Sequence, residues 1–139
     1  MPYYTNYSLH PIGVIQSVIT SRAQAPKQGY EGAPDAWIDI DSNFTDAMHG
    51  LEPGDDIILI TWFHKSKRDV LQVHPRGDIS NPLTGVFATR SPDRPNPLGL
   101  HRVKVLQIKD NKLKVGPLEA IDGTPVVDIK PVLKASQDA

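Results

Sequence analysis

The chain has 139 residues, 39% hydrophobic and 22% charged, with a formal net charge of −1. This composition excludes a disordered protein, and the length suits one domain with its own core. The absence of cysteine excludes disulfide scaffolds, thiolate zinc sites and cysteine nucleophiles. No apolar run approaches 18 residues and no signal-peptide pattern opens the chain, which predicts a cytoplasmic protein. We expect a single domain over residues 1–139, with about 134–139 as a frayed tail.

The charge is unevenly distributed along the chain. Residues 1–63 hold eight acidic side chains and two basic ones, a net −6. Residues 64–104, the basic segment, hold eight basic side chains and three acidic ones, a net +5. A basic segment favours an anionic partner such as nucleic acid or a phosphorylated metabolite. The alternative is a solvated surface without a partner.

Alternating or continuous apolar patterns predict short strands over most of the chain. The predicted strands are 13–18, 36–41, 56–63, 70–74, 85–89, 102–108, 112–115 and 126–129. One short helix is predicted over 43–50, with Asn43 as its cap, and residues 109–112 predict a hairpin turn. Thirteen prolines and ten glycines disfavour long helices. The pattern predicts an all-β fold, a small closed or nearly closed barrel with one or two short helices.

Residues 85–100, the proline-rich segment, combine stiff backbone with two arginines. Pro92, Pro95 and Pro97 fix backbone angles and remove hydrogen-bond donors, so the segment can form neither a helix nor an inner strand. Arg90 and Arg94 can each bind a carboxylate or phosphate with two hydrogen bonds. A rigid loop with such groups is typical of a preorganised binding site. The alternative is a connector whose arginines pair with acidic residues of the first third.

Three further stretches carry candidate binding groups. The turn 122–125 brings a glycine that lets a ligand approach the backbone closely, although such turns more often only begin a strand. Residues 25–30 combine a cation, an amide and an aromatic ring in a turn. His64 follows the apolar strand 56–63, where a histidine is more often a polar end of the sheet.

Several standard sites are absent from the sequence. It contains no Gly-x-Gly-x-x-Gly segment after a strand, no Gly-Lys-Ser/Thr phosphate loop and no Gly-x-Ser-x-Gly nucleophile elbow. The five histidines are scattered without the spacing of metal ligands. We therefore predict neither a dinucleotide site nor a metal site.

The segment 87–99 (FATRSPDRPNPLG) closely resembles the signature of the TsaA-like family, also called TrmO. Further blocks extend the similarity over nearly the whole chain: 12–15 (IGVI), 25–28 (APKQ), 50–51 (GL), 63–64 (FH) and 122–131 (DGTPVVDIKP). The resemblance implies a small non-Rossmann β-barrel, a homodimer and an S-adenosylmethionine-dependent tRNA methyltransferase. The implied methyl acceptor is the exocyclic N6 of threonylcarbamoyladenosine beside the tRNA anticodon.

The resemblance also implies which residues contact the methyl donor. Arg90 would hold the donor's carboxylate, and Leu100 would pack against its adenine. The full implied set is Lys27, Gln28, Gly29, His64, Lys65, Arg90, Leu100, Asp122, Gly123, Thr124 and Pro125.

The candidate residues for the methyl acceptor are inferred from their own charge and chemistry and not from the resemblance. The charge of the basic segment makes Lys67, Arg68 and Arg94 candidates for contact with RNA. Methyl transfer to a weakly nucleophilic nitrogen would benefit from a base. The candidates His64, Asp122 and Asp128 stay open as that base.

Two alternative functions follow from the sequence. Members of the family that modify tRNA often carry an extra C-terminal domain, which we expect to be missing here because the sequence stops near Ala139. The same donor site could therefore serve a different acceptor. A non-catalytic S-adenosylmethionine sensor is the second alternative.

Overall fold

The computed structural model describes residues 6–26 and 31–133. Its strands are β1 (Gly13–Gln16), β2 (Ala36–Ile40), β3 (Asp56–Trp62), β4 (Gln72–Val73), β5 (Thr84–Gly85), β6 (Leu98–Lys109), β7 (Lys112–Gly116) and β8 (Pro125–Pro131). Six strands close into a barrel in the order β1, β2, β7, β6, β3, β8, with antiparallel neighbours throughout, while β4 and β5 form a separate two-stranded sheet. The predicted all-β barrel is confirmed. The predicted tail, 134–139, lies outside the described residues.

Side chains that alternate along the barrel strands fill its interior. In β3, Ile57, Leu59 and Thr61 are buried, while the residues between them are only half-buried. In β6, Val103 and Val105 are buried in the same way. β-Branched side chains suit such a pleated, one-sided surface. β3 lies between β6 and β8, because it pairs with both of them. Only one of its faces lies in the core.

The predicted helix forms as a 3-10 helix, Ser42–Met48. The side chain of Asp41 accepts a hydrogen bond from the backbone N–H of Asn43 at 2.9 Å, so the cap predicted at Asn43 is instead Asp41. Gly50 follows the helix with a φ of +97°, a conformation that favours glycine. No helix in the described ranges is long and apolar enough to span a membrane.

The strand predicted over 85–89 is wrong. Only Thr84–Gly85 pairs as a strand, and Val86–Ala88 is a 3-10 helix. The guanidinium of Arg94 donates to the carbonyls of Val86 and Thr89, so these carbonyls accept hydrogen bonds from a side chain instead of from a neighbouring strand. A tertiary contact here overrides local strand propensity.

β6 begins four residues before the predicted position. Leu98 pairs with Trp62, and the pairing with β3 continues through Gly99 and the residues after it. The predicted turn at 109–112 is confirmed, with Asp110 at a φ of +54° between β6 and β7. The extension of β6 places residues 98–101 at the end of the barrel where the loops of the proline-rich segment lie.

Candidate ligand-binding site

A cavity of about 360 Å³ lies at the barrel end where β3 stops and β6 starts. Its walls come from the loop after β1, the loop after β3, the proline-rich segment, the start of β6 and the loop between β7 and β8. Pockets for small ligands are typically of this size or larger and combine apolar walls with a few polar groups. This cavity fits that description, since Leu98, Leu100, Ala120 and Ile121 are among its lining residues.

Five of the residues implied as donor contacts line this cavity. They come from three separate parts of the chain and are His64, Lys65, Arg90, Leu100 and Thr124. Lys27, Gln28 and Gly29 lie outside the described residues, although Ala25 and Pro26 just before them also line the cavity. Asp122, Gly123 and Pro125 are not among the lining residues.

Arg90 is exposed and faces the cavity with an unengaged side chain. Within 6–26 and 31–133, its guanidinium forms no hydrogen bond and no ion pair. Arg22, which also lines the cavity, pairs with Asp93 at 3.2 Å. A guanidinium without a protein partner retains its capacity for a bidentate bond to an anion.

Arg94 is placed differently from Arg90 although both lie in the proline-rich segment. Its guanidinium donates to the carbonyl of Ser91 at 2.8 Å and to the carbonyls of Val86 and Thr89. Three backbone carbonyls thus surround one cation, and this arrangement fixes the shape of the loop. Arg94 lines the cavity, but its guanidinium already donates hydrogen bonds to these carbonyls.

The loop after β3 is bound to the proline-rich segment. The backbone N–H of Lys67 donates to the Asp93 carboxylate at 2.9 Å. Arg68 donates to the carbonyl of Pro95 at 2.7 Å, and its guanidinium carbon lies 5.1 Å from the centre of the Trp62 ring. Arg68 is thus part of this junction, whereas the exposed side chain of Lys67 makes no such contact within the described residues.

The turn at 122–124 is held by hydrogen bonds to β1 and to the loop after it. The Asp122 carboxylate accepts from the backbone N–H of Ser17 at 3.0 Å, and Gly123 donates to the Ile15 carbonyl at 2.7 Å. Gly123 has a φ of +82°, which other residues rarely adopt. The Asp122 side chain thereby shapes the loop that carries Thr124 to the cavity.

The three candidate bases have different positions. His64 lines the cavity, and Asp122 is engaged in the turn. Asp128 lies in β8, with its carboxylate 3.5 Å from the Lys130 ammonium, and does not line the cavity. The structure therefore brings only His64 of the three to the cavity wall.

A buried polar chain at the cavity wall was not predicted from the sequence. Thr61 contacts His101 through its hydroxyl, 2.7 Å from Nε2, and His101 Nδ1 contacts the carboxylate of Glu119. The rings of His101 and Phe63 meet edge to face at 5.7 Å. One signal was available: His101 occupies the same inward phase of β6 as Val103 and Val105, an unusual position for a polar residue. Glu119 lies in a loop without any such pattern.

Gly99 lets these side chains pack tightly. A Cβ atom at this position would lie 2.6 Å from the Thr61 hydroxyl oxygen and would also meet the Phe63 ring. Glycine in a strand interior often marks such a close approach. Gly99, the last residue of the segment 87–99, is thus required by the packing at the cavity wall.

Comparisons with known proteins agree with this architecture. Residues 14–138 match the sequence model of the family described as tRNA-methyltransferase O N-terminal domain. A probable S-adenosyl-L-methionine-binding protein of Methanocaldococcus jannaschii is 44% identical over 89% of this chain and 90% of its own length. An S-adenosyl-L-methionine-binding protein of Archaeoglobus fulgidus is 43% identical over 88% of this chain and 86% of its own length.

A solved structure has the same fold. The crystal structure of TrmO from Pseudomonas aeruginosa superposes with a TM-score of 0.76 at 29% identity. The match covers 100% of this chain and 62% of that one, so this chain spans less than two thirds of the solved TrmO chain. The chain belongs to the tRNA-methyltransferase O family, whose N-terminal domain it matches.

Proposed function

We propose that this protein is an S-adenosylmethionine-dependent methyltransferase that modifies the N6 nitrogen of threonylcarbamoyladenosine beside the tRNA anticodon. The observation that carries the proposal is the unengaged Arg90 guanidinium, in one cavity with His64 and Lys65. Two relatives named as S-adenosyl-L-methionine-binding proteins, at 43% and 44% identity, support the choice of methyl donor. The membership of the tRNA-methyltransferase O family supports the choice of acceptor.

The cavity offers complementary groups for such a donor. Arg90 and Lys65 provide positive charge for its carboxylate, since a guanidinium and an ammonium both bind carboxylates well. Leu100 and Ile121 provide apolar surface for its adenine. We extend the proposed contacts to Lys27, Gln28 and Gly29, because the neighbouring Pro26 lines the cavity.

The donor supplies a sulfonium methyl group for an in-line displacement. The chain's own contribution is therefore to position both partners and to accept the proton of the acceptor nitrogen. We propose His64 as the proton acceptor, because it lines the cavity and a neutral imidazole has a ring nitrogen that can accept a proton. The side chains of Asp122 and Asp128 are engaged with Ser17 and Lys130, which makes them weaker candidates.

Transfer RNA would approach over the exposed cations beside the cavity. Lys65, Lys67 and Arg90 are all exposed and belong to the basic segment. Positive side chains that contact phosphates release counterions, which drives nucleic-acid binding. Arg68 and Arg94 would act mainly by holding the shape of the loops, given their hydrogen bonds to backbone carbonyls.

We also propose a homodimer, assembled over the apolar rim of the cavity. Phe87 is 87% exposed and Leu98 is 40% exposed, and both line the cavity. Apolar surface exposed in this way commonly marks an interface. Light scattering of the purified protein at micromolar concentration should give twice the mass of the chain. A Phe87→Asp variant should shift the distribution toward the monomer, and a monomeric wild type would contradict the proposal.

Mass spectrometry of tRNA nucleosides tests the proposed reaction. Cells without the gene should lack methylated threonylcarbamoyladenosine, and the purified protein with S-adenosylmethionine should restore it. Binding of the donor with an unchanged tRNA nucleoside profile would instead favour another acceptor or a sensor. These two are separated by assaying formation of S-adenosylhomocysteine in cell extract, because a sensor releases none.

A further inference from the structure

Glu119 is the one carboxylate among the described residues that line the cavity. The other charged groups of the wall are cations: Arg22, Lys65, Arg90 and Arg94. Asp93 neutralises Arg22, and backbone carbonyls surround Arg94. The Glu119 carboxylate is not part of a surface ion pair, because none of these four cations bonds to it in the described structure.

The buried chain behind Glu119 holds its carboxylate in place. The Thr61 hydroxyl is fully buried, and its only hydrogen-bond partner within the described ranges is His101 Nε2. A Thr61 hydroxyl that donates to Nε2 leaves the ring proton on Nδ1, where it can be donated to Glu119 Oε1. His101 thereby holds one oxygen of the Glu119 carboxylate in place.

Burial decreases along this chain from His101 to Glu119, so that the carboxylate is its more exposed end. The side chain of His101 is 1% exposed and that of Glu119 is 16% exposed. His101 occupies Oε1, and no described group donates to Oε2. The carboxylate is thus held from the protein side with one oxygen still free to accept a bond from a ligand. Such preorganisation reduces the entropy lost on binding.

We propose that Glu119 binds the positive charge of the methyl donor, and that Thr61 and His101 are positioning residues for it. This inference rests on the proposed function. S-Adenosylmethionine carries one carboxylate and two cationic groups, an ammonium and a sulfonium. The cations of the wall complement the carboxylate, and Glu119 complements the positive charge. If the charge is the sulfonium, its loss on methyl transfer also weakens binding of the product.

Calorimetric titration of the Glu119→Gln variant tests the assignment with three ligands. S-Adenosylmethionine carries both cationic groups, S-adenosylhomocysteine only the ammonium, and 5′-methylthioadenosine neither. We expect the affinity for S-adenosylmethionine to fall at least about tenfold, the scale of a partly shielded charge pair, and that for 5′-methylthioadenosine to change little. The matched control is Glu52→Gln, the same substitution at an exposed residue outside the cavity.

The affinity for S-adenosylhomocysteine identifies which cationic group of the donor Glu119 binds. If the affinity for S-adenosylhomocysteine falls as much as that for the donor, Glu119 binds the ammonium; if it changes little, Glu119 binds the sulfonium. Equal losses for all three ligands, or no loss for any, would overturn the inference. A wild type that binds no S-adenosylmethionine would overturn the proposed donor site and this assignment together, whereas a wild type that binds it normally isolates the test of Glu119.

A second variant tests the positioning residues. His101→Phe keeps an aromatic ring but removes the N–H that holds Glu119. We expect it to lower the preference for S-adenosylmethionine over 5′-methylthioadenosine in the same direction as Glu119→Gln. A purely structural role would lower both affinities equally or only the melting temperature. If His101→Phe fails to fold, the Glu119→Gln titration still decides the assignment.

Discussion

Individual arginines of the cavity wall have different roles that their sequence positions do not reveal. Arg90 has no bonding partner within the described residues, while Arg94, four residues later, serves three backbone carbonyls. A cation that already holds the loop contributes to stability, and a free cation contributes to ligand binding. The two residues can therefore be separated experimentally.

Arg90→Ala should weaken binding of S-adenosylmethionine about tenfold or more with little change in melting temperature, because a charged hydrogen bond to the ligand is lost. Arg94→Ala should instead lower the free energy of unfolding by about 2 kcal/mol, since three partly buried carbonyls each lose a charged donor. Chemical denaturation and calorimetric titration measure the two effects. A destabilised Arg90 variant that binds normally would contradict the division of roles.

The pairing of β3 with β6 determines the floor of the cavity. It brings Thr61 opposite Gly99 and extends β6 to Leu98, so that Phe63 and His101 meet at the barrel end. The strands themselves follow from a continuous apolar run in β3 and an alternating apolar pattern in β6. Their register brings Thr61 and His101 together, and the loop after β7 then adds Glu119 to form one chain of contacts.

Gly99→Ala should destabilise the protein by roughly 1–3 kcal/mol, because the added methyl group would overlap with the Thr61 hydroxyl and the Phe63 ring. The measurement is the urea midpoint of unfolding. Gly85→Ala is the matched control, since a Cβ there meets no atom within 4 Å and the glycine has no positive φ. Equal stability of the two variants would show that the space at Gly99 is not restrictive.

At the scale of the whole molecule, a nearly neutral chain carries a basic segment beside its cavity. The net charge of −1 hides the +5 of residues 64–104. Lys67 is the most suitable residue for a test of this segment, because its side chain is exposed and is not part of the loop junction that Arg68 forms.

Lys67→Glu should weaken tRNA binding, and the slope of affinity against salt concentration should fall by roughly one unit for the lost phosphate contact. Donor affinity should stay near that of the wild type. Lys112→Glu, the same charge change at the start of β7, is the control. Fluorescence anisotropy with labelled tRNA measures both variants. Binding that ignores salt would count against a nucleic-acid partner.

Donor binding should stabilise the whole fold. With S-adenosylmethionine at about a hundred times its dissociation constant, the free energy of unfolding should rise by about 2.7 kcal/mol. Thermal unfolding with increasing ligand measures this, and 5′-AMP serves as a control for general nucleotide effects. A flat titration up to millimolar donor would contradict the proposed site.

The amino-acid sequence by itself determined the fold class and the family. Period-2 apolar runs and dispersed proline and glycine leave few alternatives to a barrel, and long ordered motifs such as 87–99 identify relatives without any contacts. Only the tertiary structure decided what each charged side chain does. Arg90 and Arg94 look equivalent in the sequence, and Glu119 follows no pattern. Their roles depend on which carbonyls, rings and strands the folded chain brings beside them, over separations that local propensity does not encode.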